Sequence, residues 1–304
     1  MSPKNDVVLI VGTGALACLF AAKLAAAGQL VNMLGSWPEG LAALQNRGVT
    51  LLFPDGKKRN YVVHASANAL DFAGAKHALV LVKSWQTEQS ADQLFECLAV
   101  DGVALTLQNG LGNREKLVAK LGAERVAFGV STGGATLLGP GEVRAGGDGR
   151  VSLGEHERIK PIAEILSDAG LDTEIVNDVE SLAWSKLVVN AAINPLTALL
   201  DVPNGELLTR LHARELSAAL AREVAAVAEK KRVTLAFDDA VAAAEDVAKR
   251  TADNISSMLQ DVRREARTEI DAICGAVVEA GKMLGVPTPV NEIMWKLVSA
   301  LRPA

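Results

Sequence analysis

The chain has 304 residues, about half of them hydrophobic, and a formal net charge of −5. At roughly 100–200 residues per domain this length suggests two domains with sizeable cores, and the charge offers no basic field to nucleic acid, so an anionic ligand would need local positive groups. No run reaches the roughly 18 uninterrupted apolar residues of a membrane span. Met1–Asp6 lack the basic start, apolar segment and cleavage site of a secretory signal. Three separated cysteines (Cys18, Cys97, Cys274) cannot all pair, which points to a reducing cytoplasm. Neither they nor the four histidines (His64, His77, His156, His212) show metal-ligand spacing, so no metal site is expected.

In chain order, Val7–Val11 reads as a strand, Leu16–Ala27 as a helix ending at Gly28, and Leu30–Leu34 as a second strand. His77–Val82 and Val103–Leu107 are further buried strands, each followed by a polar turn and a helical stretch; Val126–Val130 is another strand. Alternating strands and helices imply a parallel sheet covered on both faces. The Gly-rich piece from Gly133 to Gly154, with Gly139-Pro140-Gly141 and Gly146-Gly147 as turn signals, is expected to form a hairpin at the sheet edge. Ile159–Ala169 resembles a helix and Asp172–Val176 a last strand. Beyond Val179 helical spacing dominates, with Ala-rich stretches such as Leu216–Lys231 and Asp238–Thr251. The expected domains are therefore residues 1–178, α/β, and residues 179–304, all-helical. The Ala-rich helices suit packing within one chain or across a homodimer equally well.

Gly12-Thr13-Gly14-Ala15-Leu16-Ala17 follows the first strand and opens the first helix, a G-x-G-x-x-A form of the dinucleotide fingerprint. Gly12 permits the tight turn, Gly14 lets the backbone approach a pyrophosphate, and Ala17 allows close helix–strand packing. The helix N-terminus adds amide donors. Where an NAD site usually carries an Asp or Glu, the second strand ends Leu34-Gly35-Ser36-Trp37. That leaves room for a 2′-phosphate and points to NADP. Ser36 could donate to such a phosphate, and Arg47 could fold back onto it.

Lys83 and Asn109 follow the strands that end at Val82 and Leu107. Ligands of open α/β sheets bind at the carboxyl ends of strands, so both residues point to the cofactor crevice. Lys186, Asn190 and Asn194 recur every four residues, which sets them along one face of an otherwise apolar helix. Buried, they need hydrogen-bond partners, which a bound carboxylate and carbonyl would supply. Pro195 should kink or end that helix. Asn204, in the loop Asp201–Leu207, reads equally as a helix cap and as a substrate contact. Thr268 and Asp271 resemble a capping box, which places a helix start there. Ser257 and Glu269 on one continuous helix would lie roughly 18 Å apart. Both can touch a small substrate only if the chain turns between them, and no Gly or Pro marks that turn.

In order and spacing these motifs resemble the ketopantoate reductase family over nearly the whole chain. They are Gly12-Thr13-Gly14-Ala15-Leu16, Val82-Lys83-Ser84-Trp85-Gln86, Gln108-Asn109-Gly110-Leu111-Gly112, Trp184-Ser185-Lys186-Leu187 through Asn194-Pro195-Leu196-Thr197-Ala198-Leu199, Pro203-Asn204-Gly205-Glu206-Leu207, Ser256-Ser257-Met258-Leu259-Gln260-Asp261 and Thr268-Glu269-Ile270-Asp271. The resemblance implies a Rossmann-type doubly wound domain, a helical domain, and a substrate between them. It implies NADPH-dependent reduction of 2-dehydropantoate to (R)-pantoate, on the way to pantothenate and coenzyme A. Lys186 would protonate the ketone oxygen, and Glu269 would bind the substrate hydroxyl. Asn190, Asn194, Asn204 and Ser257 would hold polar groups of the substrate, and Lys83 and Asn109 would sit where cofactor meets substrate. The chain departs from the family where an Arg often follows the second strand, and Arg263–Arg267 lacks the Gly or Pro often found before Thr-Glu-Ile-Asp. Two other functions suit the pattern: a reductase of another branched 2-keto acid, or a non-catalytic nicotinamide-binding sensor.

Overall fold

The computed structural model describes residues 7–53, 55–147 and 149–301; the Met1–Asp6 stretch and Asp148 of the Gly-rich piece lie outside them. Contacts divide the chain into two units. One holds the residues up to Gln108 and Asn113–Val179; the other holds Asn109–Gly112 and the residues from Glu180 onward. A single cut near residue 178 does not show that the short Asn109–Gly112 segment belongs with the helices.

The first unit runs β1 (Val8–Val11), α1 (Ala15–Ala26), β2 (Val31–Leu34), α2 (Pro38–Arg47), β3 (Val49–Leu52), β4 (Lys58–Tyr61), β5 (His64–Ser66), β6 (Ala75–Val80), α3 (Thr87–Cys97), β7 (Leu98–Thr106), α4 (Asn113–Leu121), β8 (Val126–Ser131), β9 (Ala135–Gly139), β10 (Glu142–Ala145), β11 (Arg150–Gly154), α5 (Ile159–Asp168) and β12 (Asp172–Val176). Its main sheet has eight strands in the order β12-β11-β8-β7-β6-β1-β2-β5. The run β5-β2-β1-β6-β7-β8 is parallel and has the doubly wound order, with its switch point between β1 and β6. Strand β1 shows why this sheet is covered twice. Val8 and Ile10 join the core beneath α1 and α5, while Leu9 and Val11 join the core beneath α3 and α4. A strand buried on both faces has no polar side to alternate with, hence the unbroken Val-Leu-Ile-Val.

The Gly-rich piece departs from the expected edge hairpin. Strands β9 and β10 do form an antiparallel hairpin, but it belongs to a second, four-stranded sheet ordered β4-β3-β10-β9. Strand β11 returns to the main sheet between β8 and β12, antiparallel to β8. The backbones cross at Gly133 and Gly149, where a Cβ on Gly149 would overlap Gly133. The second sheet packs on α1 from outside. Sheets on both sides explain why α1 is apolar nearly all round.

The second unit comprises α6 (Val179–Leu200), α7 (Glu206–Thr209), α8 (Leu211–Lys231), α9 (Ala240–Arg250), α10 (Ser257–Arg263), a π turn (Asp271–Gly275), α11 (Ala276–Leu284) and α12 (Pro289–Ala300). Its core is built from α6, α8 and α9 with the π turn, α11 and α12. Pro195 does not end α6, which runs through it to Leu200. A mid-helix proline costs about 3 kcal/mol. Here the residues from Ala191 to Ala198 are all buried, so leaving the helix would expose the core. The Thr197 hydroxyl also lies 3.0 Å from the carbonyls of both Ile193 and Asn194. No helix among the described residues is long and apolar enough to cross a membrane.

The chain does turn between Ser257 and Glu269, without glycine or proline. Helix α10 closes in a Schellman pattern: Ala266 N–H donates to Asp261 O at 2.9 Å and Glu265 N–H to Val262 O at 3.0 Å. Glu265 takes the left-handed conformation, φ +56°. The next helix opens at Ile270 as a π turn without a side-chain cap, so Thr268 and Asp271 form no capping box. Instead the Asp271 carboxylate accepts from Trp295 Nε1 at 2.8 Å and from Arg267 at 3.2 Å. A left-handed non-glycine residue costs about 1–2 kcal/mol, partly offset by glycine's greater chain entropy. Glu265→Gly should therefore raise stability by about 0.5–1 kcal/mol in urea unfolding. A lower midpoint would mean that the Glu265 side chain, not its backbone, holds this turn.

Candidate active site

In the first unit the nucleotide fingerprint lies at the carboxyl end of β1, beside the β6 end across the switch point. Gly12 and Gly14 are glycines for different reasons. Gly12 has φ +130°, and a Cβ there would sit 3.0 Å from the Leu81 carbonyl carbon and oxygen. Gly14 is exposed, caps α1 with an ordinary extended backbone, and a Cβ on it would meet nothing within 4 Å. Nothing among the described residues requires glycine at 14; a phosphate held close to the backbone would. Thr13 is buried, while Ala15 and Leu16 open α1, whose first-turn amides have no side-chain cap. This arrangement fits a dinucleotide pyrophosphate.

Ser36 stands exposed in the turn after β2. Gly35 lies against Thr13, and a Cβ at Gly40 would overlap the Trp37 ring. Arg47 does not fold back to this turn. It lies at the far end of α2, and its guanidinium donates to Pro140 O at 2.6 Å. Lys83 is half-buried, just before a short 3₁₀ turn (Ser84–Gln86). Its segment is pinned by residues that motif spacing did not single out. Gln108 Nε2 donates to Val82 O at 3.1 Å and to the Thr87 hydroxyl at 2.8 Å, and that hydroxyl is 2.8 Å from Asn113 Oδ1. Gln108, Thr87 and Asn113 are all buried. Polar residues at two adjacent strand ends were the one sequence signal for this network.

In the second unit α6 presents Lys186, Asn190 and Asn194 on successive turns of one face. Lys186 is half-buried. Desolvation pulls its pKa from 10.5 down to about 8, and the Glu269 carboxylate pulls it the other way. Glu269 itself is buried and accepts from Asn109 Nδ2 at 3.4 Å. Lys186, Glu269 and Asn109 therefore come together although they are far apart in sequence. Asn190 and the buried Asn194 have no side-chain hydrogen bond among the described residues, which leaves two amides on the Lys186 face of α6 without partners there.

Ser257 is exposed at the start of α10. Its neighbour Ser256, which motif reading passed over, does the anchoring. The Ser256 hydroxyl accepts from Leu259 N–H at 3.1 Å and lies 2.7 Å from the Thr197 hydroxyl, tying α10 to α6 one turn beyond Asn194. A serine directly before a helical run is the N-cap signal that could have found it. Asn204 is no cap: Gly205 precedes α7. Asn204 Nδ2 instead donates to Thr251 Oγ1 at 2.9 Å, and Thr251 spends its own proton on Val247 O at 2.7 Å. That fixes the orientation of the amide and leaves Asn204 Oδ1 buried without a partner among the described residues.

The cluster suits carbonyl reduction rather than nucleophilic chemistry. Buried Cys18 and Cys97 are pushed up to about 12 and about 11 by desolvation, far from thiolate behaviour. No group of His, Cys, Asp and Glu among the described residues could hold a metal ion.

A family model described as ketopantoate reductase PanE/ApbA matches residues 8–158, and its C-terminal counterpart matches residues 178–302. The chain is 38% identical to the 2-dehydropantoate 2-reductase of Archaeoglobus fulgidus, over 96% of each chain. It is similar in structure to a PanE/ApbA family ketopantoate reductase from Ralstonia eutropha JMP134, with a TM-score of 0.90 and 31% identity, covering 97% of this chain and 98% of that one. It is also similar to D-mandelate dehydrogenase in a ternary structure with NADH and anilino(oxo)acetate, with a TM-score of 0.91 and 27% identity over 97% and 98% of the two chains.

The contrast between the two glycines is testable. Gly14→Ala should keep thermal stability within about 1 kcal/mol but weaken dinucleotide binding tenfold or more, measured by titration calorimetry. Gly12→Ala should lose more than about 1 kcal/mol of stability. Equal stability losses in both would remove the argument that Gly14 is kept for a ligand.

Proposed function

The chain belongs to the ketopantoate reductase family, and on that premise we propose that it reduces 2-dehydropantoate to (R)-pantoate with NADPH, in the cytoplasm, as a step toward pantothenate and coenzyme A. The observation that carries this reading is the juxtaposition of a partly desolvated ammonium, Lys186, with Glu269 and Asn109.

Bound NADPH supplies the hydride. As hydride reaches the ketone carbon, negative charge develops on the oxygen, and the Lys186 ammonium stabilises that charge and gives up a proton to form the hydroxyl. Lys186 recovers its proton from water after the product leaves. Asn190 and Asn194 offer donors to the substrate's carboxylate and hydroxyl, with Ser257 at the α10 N-terminus as a further donor. Glu269 accepts from the substrate hydroxyl, held by Asn109. Asn204 Oδ1 offers a buried acceptor. Lys83 and Asn109 would border the nicotinamide, and Thr13, Gly14, Ala15 and Leu16 would hold the phosphates.

A pKa of about 8 places the proton donor within reach of physiological pH. Reduction needs the ammonium, so kcat/KM should be flat below pH 8 and fall about tenfold per pH unit above it. An anionic keto acid beside Lys186 favours the charged form, so the fall in kcat should lie at higher pH than the fall in kcat/KM. Lys186→Ala should keep NADPH affinity but lose about 10²–10⁴ in kcat. Unchanged turnover in that variant would refute the role.

Preference for NADPH draws on Gly35-Ser36-Trp37, which has no carboxylate to receive the ribose hydroxyls and an exposed Ser36 to meet a phosphate. The same turn also lacks a cation. With the likeness to D-mandelate dehydrogenase, this favours a second reading, reduction of another branched 2-keto acid with NADH. Absorbance at 340 nm separates the two readings, with ketopantoate and 2-ketoisovalerate each tested against NADPH and NADH. Ketopantoate with NADPH should be turned over fastest; faster turnover of any other pair replaces the proposal with that pair.

A further inference from the structure

The Asn109–Gly112 segment leaves the sheet unit for only four residues, while its flanks Gln108 and Asn113 stay pinned in the sheet unit. Within the helical unit the segment rests on the π turn that follows Glu269. Leu111 N–H donates to Ala272 O at 2.9 Å, and the Leu111 side chain packs on the helical core. Ala272 N–H donates to Glu269 O at 3.1 Å, and Asn109 Nδ2 reaches the Glu269 carboxylate at 3.4 Å. These contacts close a circuit from Asn109 through Glu269 and Ala272 to Leu111 and back along the chain.

Gly110 is the contact point of that circuit. Its φ is +80°, and a Cβ on it would overlap Ala272 O and lie 2.7 Å from both the carbonyl carbon and the Cβ of Ala272. Gly112 also has a left-handed backbone, φ +86°, but a Cβ there would meet nothing within 4 Å. The two glycines thus carry the same backbone demand, and only one carries a packing demand. The wider π turn presents the Ala272 carbonyl to a neighbouring segment, an irregularity of the kind frequent at functional sites.

We propose that Gly110 is a positioning residue, and that docking of Asn109–Gly112 on the Ala272 carbonyl sets Asn109 and Glu269 against the keto acid. The proposal rests on the reductase reading above, in which Glu269 acts on the keto acid and Asn109 holds Glu269 where the keto acid meets the nicotinamide.

Gly110→Ala and Gly112→Ala are compared in the full chain. Both suffer the cost of alanine at positive φ. Gly110→Ala should lower kcat at least tenfold and raise the KM for keto acid, with NADPH affinity (by fluorescence titration) within threefold of wild type. Gly112→Ala should stay within threefold on all three. A merely structural defect would lower the active fraction and kcat while leaving both Michaelis constants unchanged, and that result overturns the proposal. So do equal effects of the two substitutions, or none. If Gly110→Ala does not fold, amide exchange in the wild type decides: the Leu111 amide should be as protected as those of α11, and fast exchange refutes the dock. Wild-type turnover of ketopantoate separately tests the reading beneath, and the exchange measurement does not depend on it.

Discussion

An ammonium on a helix that is otherwise core has lost much of its water, and the pull of Lys186 toward its neutral form is the measure of that loss. Helix α6 cannot present Lys186 and stay packed unless an opposite charge comes close, and much of the surrounding structure brings Glu269 there. Helix α10 is stopped by a left-handed residue, the chain doubles back, and a π turn fixes Glu269 through its own carbonyl. In the proposed reaction, the balance between desolvation and the Glu269 field would leave Lys186 a readily given proton near pH 8 while keeping it charged enough to stabilise an oxyanion. Full exposure would leave it too weak an acid, and burial without Glu269 would strip its charge.

The sheet unit is governed by a different constraint. Its parallel strands are covered on both faces, so the free polar positions for ligand chemistry are at the strand ends. There the chain uses backbone more than side chains: the Gly12 turn, the open approach at Gly14 and the uncapped start of α1. The few side chains present are held by one another, as in the Gln108–Thr87–Asn113 network, which keeps the ends of β6 and β7 in register with Lys83.

Much of this was legible along the chain. The central main-sheet strands β1, β6, β7 and β8 announce themselves as short apolar runs, because a doubly covered strand admits little else. The four-residue spacing of Lys186, Asn190 and Asn194 stands out for a related reason: polar groups on one face of an apolar helix are conspicuous. Strands β3, β4 and β5 were missed. Lys58-Arg59-Asn60-Tyr61 is polar and short, and it is a strand only because β3 pairs with it. The hairpin was visible at its turn, but not which sheet it would join, since that depends on β3 meeting β10. Pro195 as a helix end, Asn204 as a cap and Arg47 as a phosphate ligand are readings that the structure overrides in the same way. Each residue has a local preference, to break, to cap or to bind phosphate, that a distant partner or the surrounding core overrides.

The sequence by itself determined the two-part architecture, the nucleotide fingerprint and the polar face of α6, because each depends on residues within a turn or two of one another. Only the tertiary structure decided that Asn109 joins Glu269, that Glu269 meets Lys186, and that Gly110 rather than Gly112 is the glycine that packing requires. Those pairings are set by which segments share a core, and the energies that choose them come from burial and close packing between residues far apart in the chain.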